Sequence, residues 1–378
     1  MTTLSNLIKP GSTIGIIGGG QLGRMMAFSA KERGYRIAVL DPTPDCPTAQ
    51  VADVHIEAAY DDLDALKELA EQSDVLTYEF ENVDAETIDR VLSEVEIAIP
   101  QGTELLLNTQ NRLTEKDFLK KAGIPIASYA KIETKADLTQ GIDKLGYPSV
   151  LKTIQGGYDG KGQVVLKSDS DLKEAESLLE KGTCVLEEWV SFDKEISIMV
   201  ARNASGDVVT LPVSENIHLN NILLKSIVPA RVSEDSLNEA ETIAKTIADT
   251  MNLVGVLGVE LFLTDSGKIY ANELAPRPHN SGHYSIEACS DSQFDLHIRA
   301  ICGYPLPEVD LLKPAVMVNI LGEHFESAIE LNASHPSWHV HNYGKNGVKV
   351  GRKMGHVTIL TDSIEETLDA IDETKIWN

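Results

Sequence analysis

The sequence predicts an α/β chain of mixed α+β character, a doubly wound parallel unit followed by antiparallel sheet. Three observations carry this. Up to residue 100, short apolar runs alternate with amphipathic stretches of helical period. From Tyr147 the strands are joined instead by glycine-rich turns, which suits antiparallel pairing. From Ala315 the chain is again strand-rich and closes on an acidic helix near residues 363–372.

In order, the N-terminal elements are the strand STIGIIGG, a helix over 22–33, RIAVLD, a helix over 63–71, and the strands VLTYEF and EIAIP. A polar helix over 108–123, NTQNRLTEKDFLKKAG, opens a new unit and is stopped by Gly123 and Pro125. The strands YPSVLKT, GQVVLK, CVLEEWV and EISIMVAR follow, then a helix over 236–251, the strands GVLGVELFLT and KIYANEL, and a helix over 292–302. The domains expected are 1–108, Rossmann-like; 109–190, carrying the glycine-rich loop; and 191–378, with the carboxylate hairpin and a basic segment. At 378 residues each can bury its own core.

Composition narrows the function. Acidic residues number 58 against 33 basic ones, a formal charge of -25, so no nucleic-acid footprint is expected and phosphate binding must be local. No secretory signal pattern opens the chain, and no apolar run approaches the roughly 18 residues of a membrane span. Cys46, Cys184, Cys289 and Cys302 are scattered, without metal-ligand spacing, and read as reduced cytoplasmic thiols.

Gly18, Gly20 and Gly23 follow a strand and open a helix, and Asp41 ends the next strand. That matches the dinucleotide fingerprint, but the same turn serves any anion held by backbone N–H groups at a helix N-terminus, or no ligand at all.

Lys152 ends the strand PSVLK and is followed by Gly156, Gly157, Tyr158, Asp159, Gly160, Lys161 and Gly162. A fixed cation beside flexible N–H donors suits a nucleotide's phosphates; a mobile hairpin loop is the plain alternative. Glu187, Glu188, Trp189 and Val190 end a strand whose edge could read an adenine, with Glu195 close by, although acids at strand ends are commonly just solvated.

The richest segment is GVELFLTDSGKIYANEL. A two-residue turn at Ser266 and Gly267 would pair Thr264 with Ile269, Phe262 with Ala271 and Glu260 with Glu273. Opposed carboxylates repel unless a cation lies between them, and with Asn272 adjacent they suit Mg²⁺ on ATP phosphates. Next come Arg277, His279, Asn280 and His283, a cluster able to hold a small oxyanion. The basic run from Lys345 to Arg352 suits one phosphate monoester, or is a solvated hairpin.

Together GGGQLGRM, YEFENV, GGYDGKG, EEWV, NELAPRPHNSGH, SQFDLHIRA and GRKMGH resemble the ATP-grasp superfamily, and within it the N5-carboxyaminoimidazole ribonucleotide synthetase family. The likeness spans nearly the whole chain, and GGYDGKG combined with NELAPRPHNSGH is its specific part. It implies the ATP-grasp fold, with 109–190 as lid. It further implies a ligase, a cytoplasmic homodimer, that carboxylates 5-aminoimidazole ribonucleotide with ATP and bicarbonate, through carboxyphosphate, in de novo purine (IMP) biosynthesis.

By that resemblance Arg112, Lys152, the loop from Gly156 to Gly162, Glu187, Glu188, Trp189, Val190, Glu195, His218, Asn272 and Glu273 contact ATP. Glu260 and Glu273 hold magnesium, or manganese in its place. Gly20, Gln21, Leu22, Glu81, Tyr158, Asp159, Lys161, Lys345 and Arg352 contact the ribonucleotide; Arg277, His279 and Asn280, with Lys152, serve the chemistry on bicarbonate. The rivals are another ATP-grasp ligase (formate-dependent glycinamide ribonucleotide transformylase, biotin carboxylase or amino-acid ligase), an NAD-dependent Rossmann oxidoreductase, and a non-catalytic nucleotide-binding regulator.

Overall fold

The computed structural model describes residues 7–156 and 161–377; Gly157, Tyr158, Asp159 and Gly160 lie outside the described residues. Three sheets succeed one another along the chain. The first collects β1 (Thr13–Ile17), β2 (Arg36–Leu40), β3 (Val54–Ile56) and β4 (Val75–Tyr78) in the order β3-β2-β1-β4, all parallel. Its strands are continuous apolar runs because α1 (Gln21–Glu32) lies on one face and α2 (Leu63–Glu71) and α3 (Ala85–Glu94) on the other. The strand expected at EIAIP does not form. It contributes one bond, from Leu76 N to Ala98 O at 2.9 Å, before Pro100 ends the run.

The single helix expected over 108–123 is two, α4 (Glu104–Thr109) and α5 (Arg112–Lys121). Asn111 separates them, its side chain accepting from Leu113 N and Thr114 N as an N-cap. A small antiparallel sheet follows, built from β5 (Tyr129–Ile132), β6 (Ser149–Thr153), β7 (Gln163–Leu166) and β8 (Cys184–Glu188) in the order β5-β8-β6-β7. With α6 (Lys135–Leu145) and α7 (Leu172–Leu179) it encloses a core from Ile132, Leu151, Leu166, Leu178 and Leu186, drawn only from its own residues. α5 belongs elsewhere, since Leu119 and the following Ile124 pack against the third sheet.

That third sheet comprises β9 (Lys194–Arg202), β10 (Val208–Thr210), β11 (Ser214–Leu219), β12 (Ile222–Val228), β13 (Gly255–Leu263), β14 (Ile269–Ala275), β15 (Ala315–Leu321), β16 (Trp338–Asn342) and β17 (Lys353–Leu360). Its path is β14-β13-β9-β11-β12-β15-β17-β16, with β10 on β9. The helices of this part are α8 (Glu234–Thr250), α9 (Ser285–Ala288), α10 (Gln293–Ile301), α11 (Phe325–Leu331) and α12 (Ile364–Glu373).

α10 fixes the first sheet on the third. Its Phe294, Ile298 and Ile301 sit in the N-terminal core with α1, while Leu296 sits with Met199, Val256 and Met317. His297, fully buried, reaches Thr77 Oγ1 on β4 at 2.9 Å and accepts from Val256 N on β13 at 3.3 Å. No helix among the described residues is long and apolar enough to cross a membrane.

Candidate active site

Glu260 on β13 is paired with Glu273 on β14, as the sequence suggests, but by a different register. The turn is a three-residue loop, Asp265 to Gly267, closed by Thr264 N to Lys268 O at 3.0 Å, with Gly267 at φ +81°. This sets Phe262 opposite Tyr270 and Leu263 opposite Ile269. A bulge at Asn272 then absorbs one residue and restores the Glu260 to Glu273 match. The side chains require it: Ala271 and Leu274 both belong to the buried core, so Asn272 and Glu273 between them must both turn outward.

A third carboxylate, Glu195 on β9, completes the cluster. Burial and then the charges of Glu260 and Glu273 push it up to about 9. Burial and Glu273 also push Glu260 up to about 7, against Lys353, Arg277 and the Asn272 amide. A cation beside Glu195 and Glu260 would relieve the repulsion that raises them, and hard oxygen donors of this kind suit a divalent one, although among the described residues no three such side chains already stand together as a metal cage. Glu195 Oε1 lies 3.3 Å from His218 Nε2, and Glu260 Oε1 lies 3.3 Å from His279 Nε2.

α5 runs along the seam between the small sheet and this hairpin. Arg112 Nη2 is 3.7 Å from Glu273 Oε2, and Glu115 accepts from Leu274 N at 3.4 Å. Lys116 Nζ is 3.2 Å from Glu187 Oε2 on β8, the same oxygen that Lys152 Nζ on β6 reaches at 3.2 Å. Burial would raise the Glu187 carboxyl, but Lys152 and Lys116 outweigh it and hold it below its ordinary range. Lys116 and Glu115 escape notice in the sequence; the signal available was the helical i, i+3, i+4 spacing from Arg112. Trp189, exposed, projects at the end of β8.

Beyond β14, Arg277 Nε donates to Glu81 Oε2, joining YEFENV to NELAPRPHN. Burial opposes the Glu81 charge, yet Arg277 keeps this carboxyl below its ordinary range. His279 is driven well below the usual imidazole range by burial and by Arg277, Lys353 and His218, so its ring is neutral. Its Nδ1 lies 2.9 Å from Ser281 Oγ. Asn280 is committed: its Nδ2 donates to Asn319 Oδ1 at 2.9 Å while Asn319 Nδ2 donates to Asn280 Oδ1 at 2.6 Å, and Asn319 Nδ2 also reaches Leu223 O at 2.8 Å. Asn319 was not singled out from the sequence, because its partner lies on a distant segment.

The glycine-rich turn opening α1 is occupied by acidic side chains of the protein's own. Glu79 accepts from Gly20 N and from Gly23 N, the latter at 2.7 Å. Asp41 accepts from Gly19 N at 2.7 Å, Thr43 N at 2.8 Å and Tyr60 Oη at 2.6 Å. Glycine at 20 lets the backbone meet that carboxylate, since a Cβ there would stand 2.5 Å from Glu79 Oε1. With its N–H donors and its distal acid both engaged internally, the turn does not serve as a dinucleotide site. Gln21 and Leu22 start the helix beside it.

The basic run forms a loop before β17. Lys345 Nζ donates to Lys353 O at 2.8 Å, and Arg352 Nη1 donates to Asn346 O at 2.6 Å and Gly347 O at 2.9 Å. Gln50 Nε2, from the N-terminal unit, donates to Gly344 O at 2.8 Å and docks the loop.

Comparison with known proteins matches three family models: a ribonucleotide synthetase preATP-grasp domain over 11–108, an ATP-grasp domain over 117–294, and a phosphoribosylaminoimidazole carboxylase C-terminal domain over 315–370. The N5-carboxyaminoimidazole ribonucleotide synthase of Bacillus subtilis (strain 168) is 51% identical over 371 residues, 98% of this chain and 97% of that protein. A crystal structure of an N5-carboxyaminoimidazole ribonucleotide synthetase complexed with ADP superposes with a TM-score of 0.96 at 55% identity, over 99% of each chain. One from Aspergillus clavatus, complexed with ADP and 5-aminoimidazole ribonucleotide, gives 0.89 at 33% identity, over 96% of this chain and 97% of that one. With that identity along nearly its full length, the chain belongs to the N5-carboxyaminoimidazole ribonucleotide synthase family of ATP-grasp ligases.

Proposed function

We propose that the residues gathered along the α5 seam divide between them the work of one reaction, the ATP-dependent carboxylation of 5-aminoimidazole ribonucleotide by bicarbonate. The enzyme is a ligase of purine biosynthesis that uses ATP as co-substrate. The supporting observation is a single seam that carries a phosphate-type cation, Lys152, a crowded carboxylate cluster, and a partly buried arginine with a neutral histidine.

Glu260 and Glu273, with Glu195 behind them, fit a divalent cation: their mutual repulsion is the defect such an ion removes. Magnesium bound there would neutralise charge on the ATP phosphates. Lys152 and Lys161 hold phosphate oxygens, and Glu187, Glu188, Trp189 and Val190 face the adenine. Arg277 and His279 orient bicarbonate, whose oxygen displaces ADP from the γ-phosphorus to give carboxyphosphate. The exocyclic amine of the ribonucleotide then attacks the carbonyl carbon, a C–N bond forms, and phosphate and a proton leave. Glu81 keeps Arg277 in place, and Lys345 and Arg352 receive the ribonucleotide's phosphate. The small sheet serves as a lid that excludes water from the mixed anhydride. Asn280, bound by Asn319, acts by fixing the loop that carries Arg277 and His279. A cytoplasmic homodimer is part of this reading.

The test is phosphate release from MgATP in bicarbonate buffer, with and without 5-aminoimidazole ribonucleotide. Release that depends on the ribonucleotide is expected. Release indifferent to it would make the acceptor wrong, and release supported by formate in place of bicarbonate would favour a transformylase.

A further inference from the structure

The group formed by Lys116, Glu187 and Lys152 has one positive charge too many for a structural ion pair. Both ammonium groups stand 3.2 Å from a single oxygen, Glu187 Oε2, and the other oxygen, Oε1, is buried without a hydrogen-bond partner. Glu115, the neighbouring acid on the same helix, accepts from Leu274 N at 3.4 Å, and burial and Glu273 drive its carboxyl well above the ordinary range against the pull of Lys116 and Arg112, so it does not supply the second negative charge. Burying a lysine is costly, and one lysine would have sufficed to neutralise Glu187.

The two lysines differ in access. The Lys116 side chain is 3% exposed and Lys152 is 18% exposed. Lys116 is therefore fixed against Glu187, while Lys152 keeps a solvent-facing side. If Lys152 moved to a phosphate and Lys116 were absent, Glu187 would remain as a buried, unpaired carboxylate.

We propose that Lys116 is a positioning residue for the nucleotide: it keeps Glu187 neutralised, so that Lys152 can leave that carboxylate for the phosphates of ATP. The inference rests on the ATP site described above. Lys116 itself does not touch the nucleotide. Its contribution is to lower the cost of releasing Lys152, so its loss acts on ATP binding.

The experiment is steady-state kinetics with ATP and the ribonucleotide varied separately, on wild type, Lys116→Met, Glu187→Gln and the double variant, with melting temperatures measured alongside. Lys116→Met is expected to raise KM for ATP on the order of ten-fold, with little change in kcat or in KM for the ribonucleotide. In the Glu187→Gln background no carboxylate is stranded, so adding Lys116→Met should leave KM for ATP where Glu187→Gln alone puts it. An unchanged ATP KM in Lys116→Met overturns the proposal, as does a full ten-fold rise in the Glu187→Gln background. If Lys116→Met does not fold, the comparison of Lys116→Gln/Glu187→Gln with Glu187→Gln decides on the same criterion. Failure of the ATP assignment itself shows separately, as absence of ATP consumption by wild type.

Discussion

Glu260 faces Glu273 across β13 and β14 because Asn272 is bulged out of the ladder. The bulge places two consecutive polar side chains on one face and returns Leu274 to the core. Removing one carboxylate of the pair should cripple phosphoryl transfer and leave the fold intact, since Glu273 is half exposed. Glu273→Ala is expected to reduce ribonucleotide-dependent phosphate release by about two orders of magnitude or more. A chelator should do the same to wild type, and added Mg²⁺ should reverse it; turnover persisting in excess chelator would refute the metal assignment.

Stability in acid should depend on Glu187. Its carboxyl is held below the ordinary value of 4.5 despite burial, because Lys152 and Lys116 attract its charge. The folded state thus binds fewer protons than the unfolded one. The resulting stability is complete above pH 4.5 and is lost as pH falls through the lowered folded value. Glu187→Gln should melt lower than wild type at neutral pH and lose less on acidification below pH 4.5. Parallel acid limbs for the two proteins would contradict this.

The reciprocal amide pair of Asn280 and Asn319 should show in both stability and rate. Asn319→Ala leaves the buried Asn280 amide without two bonds, a cost of about 2 kcal/mol. The loop carrying Arg277 and His279 is then less fixed. The expected result is a lower melting temperature together with a raised apparent KM for bicarbonate and an unchanged KM for ATP; a change confined to ATP would point to another role.

Nicotinamide cofactors should have no effect. Glu79 and Asp41 already accept from Gly19, Gly20 and Gly23, so neither NAD nor NADP should shift the melting temperature or be reduced during turnover. A thermal shift with either one would reopen the glycine turn as a cofactor site.

Alternation and glycine punctuation made β1, β2, β4, β6, β7, β8, β9, β13 and β14 legible, because burial on one or both faces writes itself into local pattern. By contrast β3, β5, β10, β11 and β12 were not read, and the division of the antiparallel strands into two sheets depends on long-range pairing. The Glu260 and Glu273 pairing was legible for a subtler reason. The assumed two-residue turn is one residue short of the real loop, and the bulge at Asn272 cancels the difference. The succession Ala271, Asn272, Glu273, Leu274 breaks strict alternation and was the local sign of that bulge. For Lys116 the spacing from Arg112 on α5 marks the helix face it shares, but its role stayed hidden because the acid it meets lies on β8, far along the chain. Glu79 stayed hidden because a strand-end acid tells nothing of the helix it caps until the chain returns there.

α10 leaves a mark on how this enzyme can change over generations. Phe294, Ile298 and Ile301 serve the N-terminal core while Leu296, on the same helix, serves the core of the large sheet. A harmful substitution on either side of α10 is therefore felt by both units, and a compensating one can arise in either. The small sheet, whose core is drawn from its own residues alone, shares neither burden nor rescue. Its interior can drift and be repaired only from within.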